Sequence, residues 1–480
     1  MSKLQSRARE NGSWKLFHPK ARAFVKNTDR YVRGGVNPGD YYKAIWCRDA
    51  AYILKDLYLT GDVGEVMQAI HFIWSHQMTP GKGKIVYGRG SPDMKFLSQV
   101  ANPREEKKFE GALPSTIYDD SLEVYAKNPD IDSTALMIST TSWIFDTYLR
   151  AGLLYEKPGG SLASKAGQRK SLAPEKAIDF AVPRMLKAVD YLAARDIDGD
   201  GLLEQDHNED WMDTVLRAGK IVYSQACWIL ALTHLSSLLS RLCKEGKAKQ
   251  MVKLANNGIL AVEKHLWSDE EGCYIDKQAS HHMGREYKTL TQDVSLYLVA
   301  VTENTVHDML SSTTRRDTKR QNKHPLRGKV SSVSDKTIRD RANMTLDAIE
   351  NRIWKDRWPL VTEAELKTTG PWVLQPNQYH NHTFWPWTTG IEMLARSRFK
   401  RFDECSTLLS SLIRGRYPHD LAFYEWVDPV TGKGRGAFPF RTGISAVRIA
   451  ITDILTSMHQ LPAYKEESFA RHARKGKHAA

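Results

Sequence analysis

The chain has 480 residues, of which 41% are hydrophobic and 26% are charged, a composition typical of a globular protein with a large core. Its formal net charge at pH 7 is +13, and ten of the excess charges lie in two segments, 311–343 (net +7) and 461–480 (net +3). We interpret both segments as solvated appendages and expect no specific nucleic-acid partner, because no nucleic-acid-binding motif lies beside them.

Five cysteines stand at irregular spacings, without a C-x-x-C pair. This pattern argues against a disulfide framework and a cysteine-based zinc site, and it favours a reducing compartment. The sequence contains no run of 18 apolar residues, and its N-terminus lacks the apolar segment of a secretory signal. We therefore expect a cytoplasmic protein without a membrane span.

Helical periodicity dominates the sequence. Apolar residues from Ala50 to Tyr58 share one helix face, the pattern stops at Thr60-Gly61, and a second pattern covers 63–78. Helices joined by so short a link lie antiparallel. Nine further helices are predicted at 133–150, 175–195, 219–243, 247–267, 290–301, 335–354, 384–399, 401–414 and 443–458, with a weaker candidate at 20–27.

Breaks in this pattern are few. Pro183 lies inside the predicted 175–195 helix and is expected to kink or split it. The best alternating runs, at 32–36 and 271–276, predict short local β-hairpins.

Four aspartates recur at a nearly constant interval: Asp49, Asp132, Asp213 and Asp293 are separated by 83, 81 and 80 residues. Successive helical hairpins that each contribute one loop to a shared end would produce this spacing. The sequence therefore predicts an all-α fold, an (α/α)6 toroid with a few short β-hairpins, although an open helical solenoid is the alternative. We expect an N-terminal lead-in at 1–30, one catalytic domain at 31–460 with a basic insertion near 311–343, and a disordered basic tail at 461–480.

The segment 196–217 contains eight carboxylates in 22 residues. Crowded like charges shift carboxyl pKa values apart, which suits general acid–base chemistry. Gly199 and Gly201 favour a loop between two helices. Its opening resembles a calcium-binding loop, but position 12 of that loop is His207 instead of Glu. We therefore predict no metal site and no cofactor.

Three further stretches contain candidate sugar-binding residues, and two of them combine aromatic and polar residues, as sugar binding requires. The first contains Trp46, Arg48 and Asp49, where a plain surface ion pair is the alternative. The second is Asp132, which could equally act as a helix N-cap. The third is Q-Y-H-N-H-T-F-W-P-W, which contains His380, Asn381 and Trp385; a metal site lacks further ligands there, and a structural aromatic cluster is the alternative.

Glu425 lies between Tyr424 and Trp426, ahead of a loop rich in Gly and Pro. An isolated Glu is normally a solvated surface residue. Enclosure between two aromatic residues instead favours a functional carboxylate.

These stretches, in this order, resemble the catalytic domain of the glucoamylase-like glycoside hydrolases, which have an (α/α)6 barrel. The nearest resemblance is to the amylo-α-1,6-glucosidase group, the C-terminal part of glycogen debranching enzyme. W-C-R-D-A is similar to the W-x-R-D stretch of the clan, D-W-M-D to its W-x-D acid motif, and Y-H-N-H-T-F-W-P-W to its H-N-x-x-x-W-P. The resemblance covers 41–458.

The resemblance implies inverting hydrolysis of a glycosidic bond, with Asp213 as the general acid and Glu425 as the general base. Asp210 is the second candidate for the acid. The same resemblance implies a set of substrate-binding residues: Trp46, Arg48, Asp49, Asp132, Asp210, Trp211, His380, Asn381 and Trp385. His382 stands where the group has Gly or Ser, and it is expected to narrow the pocket.

Three functions remain open at this stage. The first is an exo-acting inverting glycosidase on an α-glucoside or related oligosaccharide. The second is another reaction in the same barrel, such as phosphorolysis or the hydrolysis of sucrose, trehalose or a glycosylated small molecule. The third is a non-catalytic carbohydrate-binding protein. All three imply a carbohydrate ligand.

Overall fold

The computed structural model describes residues 3–88, 99–155, 173–279, 286–303, 334–356, 358–365, 375–413 and 420–457. The predicted basic tail and most of the predicted basic insertion lie outside these residues. Its first ten helices are Lys3–Val32 (α1), Cys47–Leu59 (α2), Val63–Ser75 (α3), Pro103–Lys108 (α4), Ile131–Tyr155 (α5), Pro174–Ala193 (α6), Val222–Arg241 (α7), Glu245–His265 (α8), 295–303 (α9) and Asp335–Ala348 (α10). The last three are Pro386–Arg398 (α11), Phe402–Leu412 (α12) and Arg441–Ser457 (α13).

Six of these helices form a closed inner ring. Helix α2 packs against α5, α5 against α7, α11 against α13, and α13 against α2. The short 3-10 turn Gln292–Val294, which leads into α9, contacts both α7 and α11 and so completes the ring. The remaining long helices, α1, α3, α6, α8, α10 and α12, alternate with the inner ones along the chain and form the outer layer, which agrees with the predicted (α/α)6 toroid.

Short strands cover the end of the ring at which the inner helices begin. Ile45–Trp46 (β1), Ile85–Tyr87 (β2), Thr116–Ile117 (β3) and Leu122–Val124 (β4) form one sheet in the order β1-β3-β4-β2. The later strands are Gly219–Lys220 (β5), Trp267–Ser268 (β6), Cys273–Tyr274 (β7), Asp276–Ala279 (β8), Glu286–Thr289 (β9), Trp354–Lys355 (β10), Trp358–Pro359 (β11), Trp426–Asp428 (β12) and Lys433–Arg435 (β13).

The structure corrects three details of the sequence-based prediction. No hairpin forms at 32–36, because α1 continues to Val32 and a turn follows. The residues expected to be a lead-in therefore lie almost entirely within α1, which packs against α12 and α13. Helix α6 passes through Pro183 without a break. The hairpin predicted at 271–276 is present in part, as the antiparallel pair β6–β7.

Among the described helices, α7 alone is long and apolar enough to meet the criteria for a membrane-spanning helix. Its apolar segment is 94% buried inside the barrel. An inner helix of this fold is apolar on all sides because it is surrounded by neighbouring helices, so its composition is accounted for by the core.

Arg448 joins the two ends of the chain. Its side chain, on α13, is 1% exposed. It donates hydrogen bonds to both carboxylate oxygens of Asp56, at 3.1 and 2.8 Å, on the neighbouring inner helix α2. It also bonds Thr28 Oγ1 at 3.0 Å and Asp29 at 3.1 Å on α1. One guanidinium thus holds an outer helix to the first and last inner helices.

We predict that Arg448→Met lowers the free energy of unfolding by about 3–5 kcal/mol, since Asp56 would remain buried without a cation. Thermal denaturation measures the loss, and the exposed Arg104→Met is the control. The double variant Arg448→Met/Asp56→Leu should recover part of it. Equal melting temperatures for Arg448→Met and Arg104→Met would contradict this role.

Candidate active site

The N-terminal ends of the inner helices surround a cavity of about 100 Å³. Its walls are formed by aromatic rings and a few charged side chains. The lining residues are Pro38, Tyr42, Trp46, Arg48, Asp49, Tyr125, Trp211, Asp213, Tyr379, His380, Trp385, Trp387, Glu425, Phe440 and Thr442. The evenly spaced aspartates thus lie near the starts of successive inner helices: Asp49 and Asp132 in the first turns of α2 and α5, and Asp213 and Asp293 before α7 and α9.

Asp213 lies on the cavity wall with its side chain 16% exposed. Its Oδ1 atom is buried without a hydrogen-bond partner among the described residues, and His380 Nδ1 lies 3.9 Å from that oxygen. Burial raises the pKa of Asp213 to about 8; Arg48 opposes this shift, while Glu425 and Asp210 add to it. At neutral pH this carboxyl therefore holds a proton.

Glu425 lies in a different environment on the same cavity. Its Oε1 accepts hydrogen bonds from the Tyr42 hydroxyl at 2.6 Å and the Tyr379 hydroxyl at 3.2 Å, and its Oε2 accepts one from Ala437 N at 2.7 Å. Burial raises the pKa of Glu425, but these three donors act in the opposite direction. Donors that stabilise the charged form favour an ionised carboxylate.

Arg48 connects the first two predicted clusters. Its guanidinium lies 3.6 Å from Asp49 and 3.5 Å from Asp132. The Thr442 hydroxyl, from the start of α13, donates to Asp49 at 2.6 Å, and Tyr223 donates to Asp132 at 3.1 Å. Arg48, Asp49 and Thr442 line the cavity, whereas Asp132 does not.

Trp211 is the centre of the aromatic wall. Its ring packs edge-to-face against those of His380, Trp385 and Trp387, with centroids 5.1, 5.4 and 4.8 Å away. His380 stacks on Trp385 at 4.8 Å and exchanges a hydrogen bond with Thr214 Oγ1 at 2.8 Å. Burial and the neighbouring arginines lower the pKa of His380 well below its usual value, so the ring is neutral.

A buried ion cluster holds the loop that carries Asp213. Arg217, 1% exposed, donates to Asp210 at 3.0 Å, to Asp293 at 2.9 Å and to Asp276 at 2.7 Å. Trp211 Nε1 donates to the same Asp293 carboxylate at 2.6 Å. Asp210 lies in the connection between α6 and α7, whereas Asp276, on β8, and Asp293 lie in the connection between α8 and α9. One arginine therefore fixes the relative positions of these two connections.

The structure separates the predicted substrate-binding residues into two groups. Trp46, Arg48, Asp49, Trp211, His380 and Trp385 line the cavity, whereas Asp132, Asp210 and Asn381 do not. Asp210 is fully buried and forms an ion pair with Arg217. Asp132 is fully buried behind Arg48, and Asn381 is 1% exposed. These three residues therefore support the wall, and the geometry favours Asp213 over Asp210 as the acid.

His382 does not narrow the cavity, contrary to expectation. Its φ angle is 60°, and its Nδ1 and Nε2 atoms lie 2.9 Å from Thr362 O and Lys355 Nζ, away from the cavity. A left-handed backbone is the conformation that glycine adopts most readily, which accounts for glycine at this place in the family pattern.

Sequence reasoning missed the residues that hold Glu425 and close the cavity. Tyr42 stands four residues before Trp46, and Tyr379 immediately precedes His380. Both lie beside predicted site residues, but neither position alone indicates a contact with Glu425. Tyr125, Trp387 and Thr442 had no signal in the sequence, because their approach to the cavity depends on the closure of the ring.

In the calcium-like opening of the acidic segment, a lysine ammonium group lies against the carboxylates. Asp196, Asp198 and Glu204 bring carboxylate oxygens within 4.8 Å of one another. Lys220 Nζ lies 2.7 Å from Asp198 and 2.6 Å from Asp200. This ammonium group neutralises much of the charge in the loop. The absence of a resident metal stays a prediction.

Comparison with solved structures identifies proteins of the same fold. An uncharacterized conserved protein from Thermus thermophilus shares 15% identity over 90% of this chain and 99% of its own, with a TM-score of 0.55. The GH63 mannosylglycerate hydrolase from the same organism, in complex with glucose, shares 15% identity over 91% of this chain and 100% of its own, with a TM-score of 0.52. A wild-type glycosidase shares 12% identity over 93% of this chain and 98% of its own, with a TM-score of 0.53.

These likenesses extend over the whole toroid and establish the fold, which is that of α/α-toroid glycosidases. No protein-family model matches the sequence, and no curated protein matches it either. The narrower resemblance to the debranching-enzyme group stays a prediction.

We predict that Arg217→Met lowers the melting temperature more at pH 8 than at pH 5. Burial raises the pKa values of Asp210 and Asp276, that of Asp276 to about 6, and Arg217 opposes both shifts. Without the guanidinium, these two pKa values rise further above their unfolded values. A raised folded pKa contributes stability that is lost as pH rises. Melting curves at both pH values, with the exposed Lys107→Met as control, test this; a deficit independent of pH would contradict it.

Proposed function

We propose that the protein is an inverting, exo-acting glycoside hydrolase acting on an α-glucoside or a related glycoside. The observation that carries this proposal is the pairing of a protonated Asp213 with a hydrogen-bonded Glu425 on one small cavity. Two carboxyl groups whose environments drive their pKa values apart are the usual signature of an acid and a base.

Asp213 is the general acid in this proposal. Its pKa of about 8 keeps a proton available at neutral pH, and its Oδ1 atom makes no competing hydrogen bond among the described residues. The proton passes to the glycosidic oxygen as the bond to the anomeric carbon breaks. The negative charge left on Asp213 is then stabilised by Arg48.

Glu425 is the general base. Tyr42 and Tyr379 both donate to Oε1, and Ala437 N donates to Oε2. These three donors fix the orientation of the carboxyl group and favour its charged form. It takes a proton from water, which attacks the anomeric carbon from the face opposite the leaving group. Inverting enzymes keep their carboxyl groups about 6.5–9.5 Å apart to admit this water.

The cavity accommodates the non-reducing sugar. Its volume of about 100 Å³ and its aromatic walls suit one pyranose ring, whose C–H faces pack on Trp46 and Trp385. Arg48 and Asp49 meet the hydroxyl groups. A small cavity of this kind favours removal of a terminal sugar over cleavage within a chain.

The neighbour structures add support at the level of substrate class. One is a mannosylglycerate hydrolase in complex with glucose, and another is a wild-type glycosidase. A glycoside of a small molecule is therefore as good a candidate for this chain as a branched glucan. We also propose a cytoplasmic location, because all five cysteines are free thiols.

We predict that Asp213→Asn and Glu425→Gln each lower kcat by about 10²–10⁴-fold, the usual contribution of a general acid or base. Turnover of a panel of glucosides measures this, and NMR of the fresh product should show the inverted anomer. Asn381→Ala, behind the wall, is a structural comparison and should affect stability more than kcat.

The alternative functions give different results. A phosphorylase needs no protein base, so Glu425→Gln would spare phosphorolysis while abolishing hydrolysis. A non-catalytic binding protein would bind glycans as well with Asp213→Asn as without it, and would turn over none of them. A retained anomer would overturn the inverting mechanism.

We predict a bell-shaped dependence of kcat/KM on pH. Activity should rise as Glu425 loses its proton, above the ordinary Glu value of about 4.3, because burial raises its pKa. It should fall as Asp213 loses its proton near pH 8. Since kcat/KM reports groups of the free enzyme, rates at limiting substrate between pH 4 and 10 test this. An alkaline limb below pH 6 would contradict it.

A further inference from the structure

A second concave surface lies at the same end of the barrel as the cavity. It has a volume of about 510 Å³ and is formed by the end of α3, the middle of α6, residues 82–84 and the turn that joins β3 to β4. We call it the outer groove. Outer helices run antiparallel to inner ones, so the end of α3 lies beside the beginning of the inner helices.

Aromatic rings lead from the cavity to the outer groove. Trp46, on the cavity wall, contacts Tyr118 with ring centroids 6.4 Å apart. Tyr118 is 38% exposed and lines the outer groove. It follows β3, and β3 pairs with β1, the strand that contains Trp46.

The proposed acid faces the same hairpin. Tyr125 directly follows β4 and lines the cavity. Asp213 lines the same cavity as Tyr125. The β3–β4 hairpin therefore reaches both surfaces, the cavity through Tyr125 and the outer groove through Tyr118. We place the departing group on the side of this hairpin.

The outer groove carries more positive than negative charge. Four cations, Lys82, Lys84, Arg184 and Lys187, line it together with two acids, Asp119 and Asp120. In the described structure no ion pair joins these acids to these cations; Lys187 instead lies 3.7 Å from Glu110 outside the groove.

Arg184 is held in place without a carboxylate. Its guanidinium lies 3.6 Å from the centroid of the Phe180 ring and donates to Phe180 O at 2.8 Å. Burial lowers the pKa of Arg184, as expected for a cation without an acidic partner. A guanidinium fixed on an aromatic ring is prepared to bind a carboxylate or phosphate.

We propose that the outer groove binds an anionic substituent, carboxylate or phosphate, on the leaving part of the glycoside. The substrate class is then a glycoside whose aglycone or reducing-end sugar carries a negative charge, with the neutral sugar in the cavity and the anion against Lys82, Lys84 and Arg184. This inference rests on the proposed hydrolase function and specifies its substrate.

Three phenyl α-glucosides test the proposal. They carry a hydroxymethyl, carboxymethyl or phosphonomethyl group at the para position, so that a methylene separates the charge from the reacting oxygen. We expect kcat/KM for the anionic compounds to exceed that for the neutral one by about tenfold, through KM, and to lose this advantage at high salt. A preference confined to the phosphonate identifies a phosphate ester; equal rates for all three overturn the proposal.

The variant Lys82→Ala/Lys84→Ala should bring the ratio of anionic to neutral kcat/KM close to one. Both lysines are exposed, so the substitution should not disturb folding. Lys107→Ala/Lys108→Ala, on α4 and outside the outer groove, makes the same change in net charge and should keep the wild-type ratio. The proposal is contradicted if Lys82→Ala/Lys84→Ala keeps the wild-type ratio, or if both double variants lower the ratio equally.

A direct binding measurement separates this inference from the proposed function. If the enzyme hydrolyses none of the three glucosides, hydrolase activity on glucosides fails. Inorganic phosphate titrated by calorimetry then tests the outer groove alone. Binding that is lost in Lys82→Ala/Lys84→Ala and kept in Lys107→Ala/Lys108→Ala supports an anion site. Absent or equal binding in all three proteins overturns it.

Discussion

The arrangement of the candidate site depends on one buried arginine. Arg217 is surrounded by the carboxylates of Asp210, Asp276 and Asp293, each from a different part of the chain. Bringing three like charges together without a cation would cost more than the fold could recover. The loop between α6 and α7 therefore has one position in which it is stable, and in that position Trp211 and Asp213 face the cavity.

The same acidic segment serves two purposes. Asp210 pairs with Arg217 and shapes the loop, while Asp213, three residues on, lines the cavity, where burial raises its pKa to about 8. Sequence alone could not separate them, since both are aspartates of one short motif. The difference lies in Arg217, four residues after Asp213 in the chain, and in Asp276 and Asp293, which follow Asp213 by 63 and 80 residues, on β8 and before α9.

Local patterns predicted the helices, because the apolar face of each inner or outer helix recurs every three to four residues. The spacing of the aspartates predicted the ring. The sequence could not identify Tyr42 and Tyr379 as partners of Glu425, since Tyr42 lies 383 residues from it in the chain. We also assigned Asp132, Asp210 and Asn381 to substrate binding. Sequence does not distinguish the polar residues that line a cavity from those that lie behind its wall.

Ring closure is therefore what turns scattered motifs into a site. Arg448 holds α13 to α1 and α2, and the start of α13 provides Thr442, which bonds Asp49 at the start of α2. The contact between Tyr42 and Glu425 crosses the same junction. Any loosening between the first and last hairpins would act on the proposed base and on Asp49, but leave the Asp213 loop, which Arg217 holds, in place. Stability and chemistry are thus linked at this one junction of the barrel.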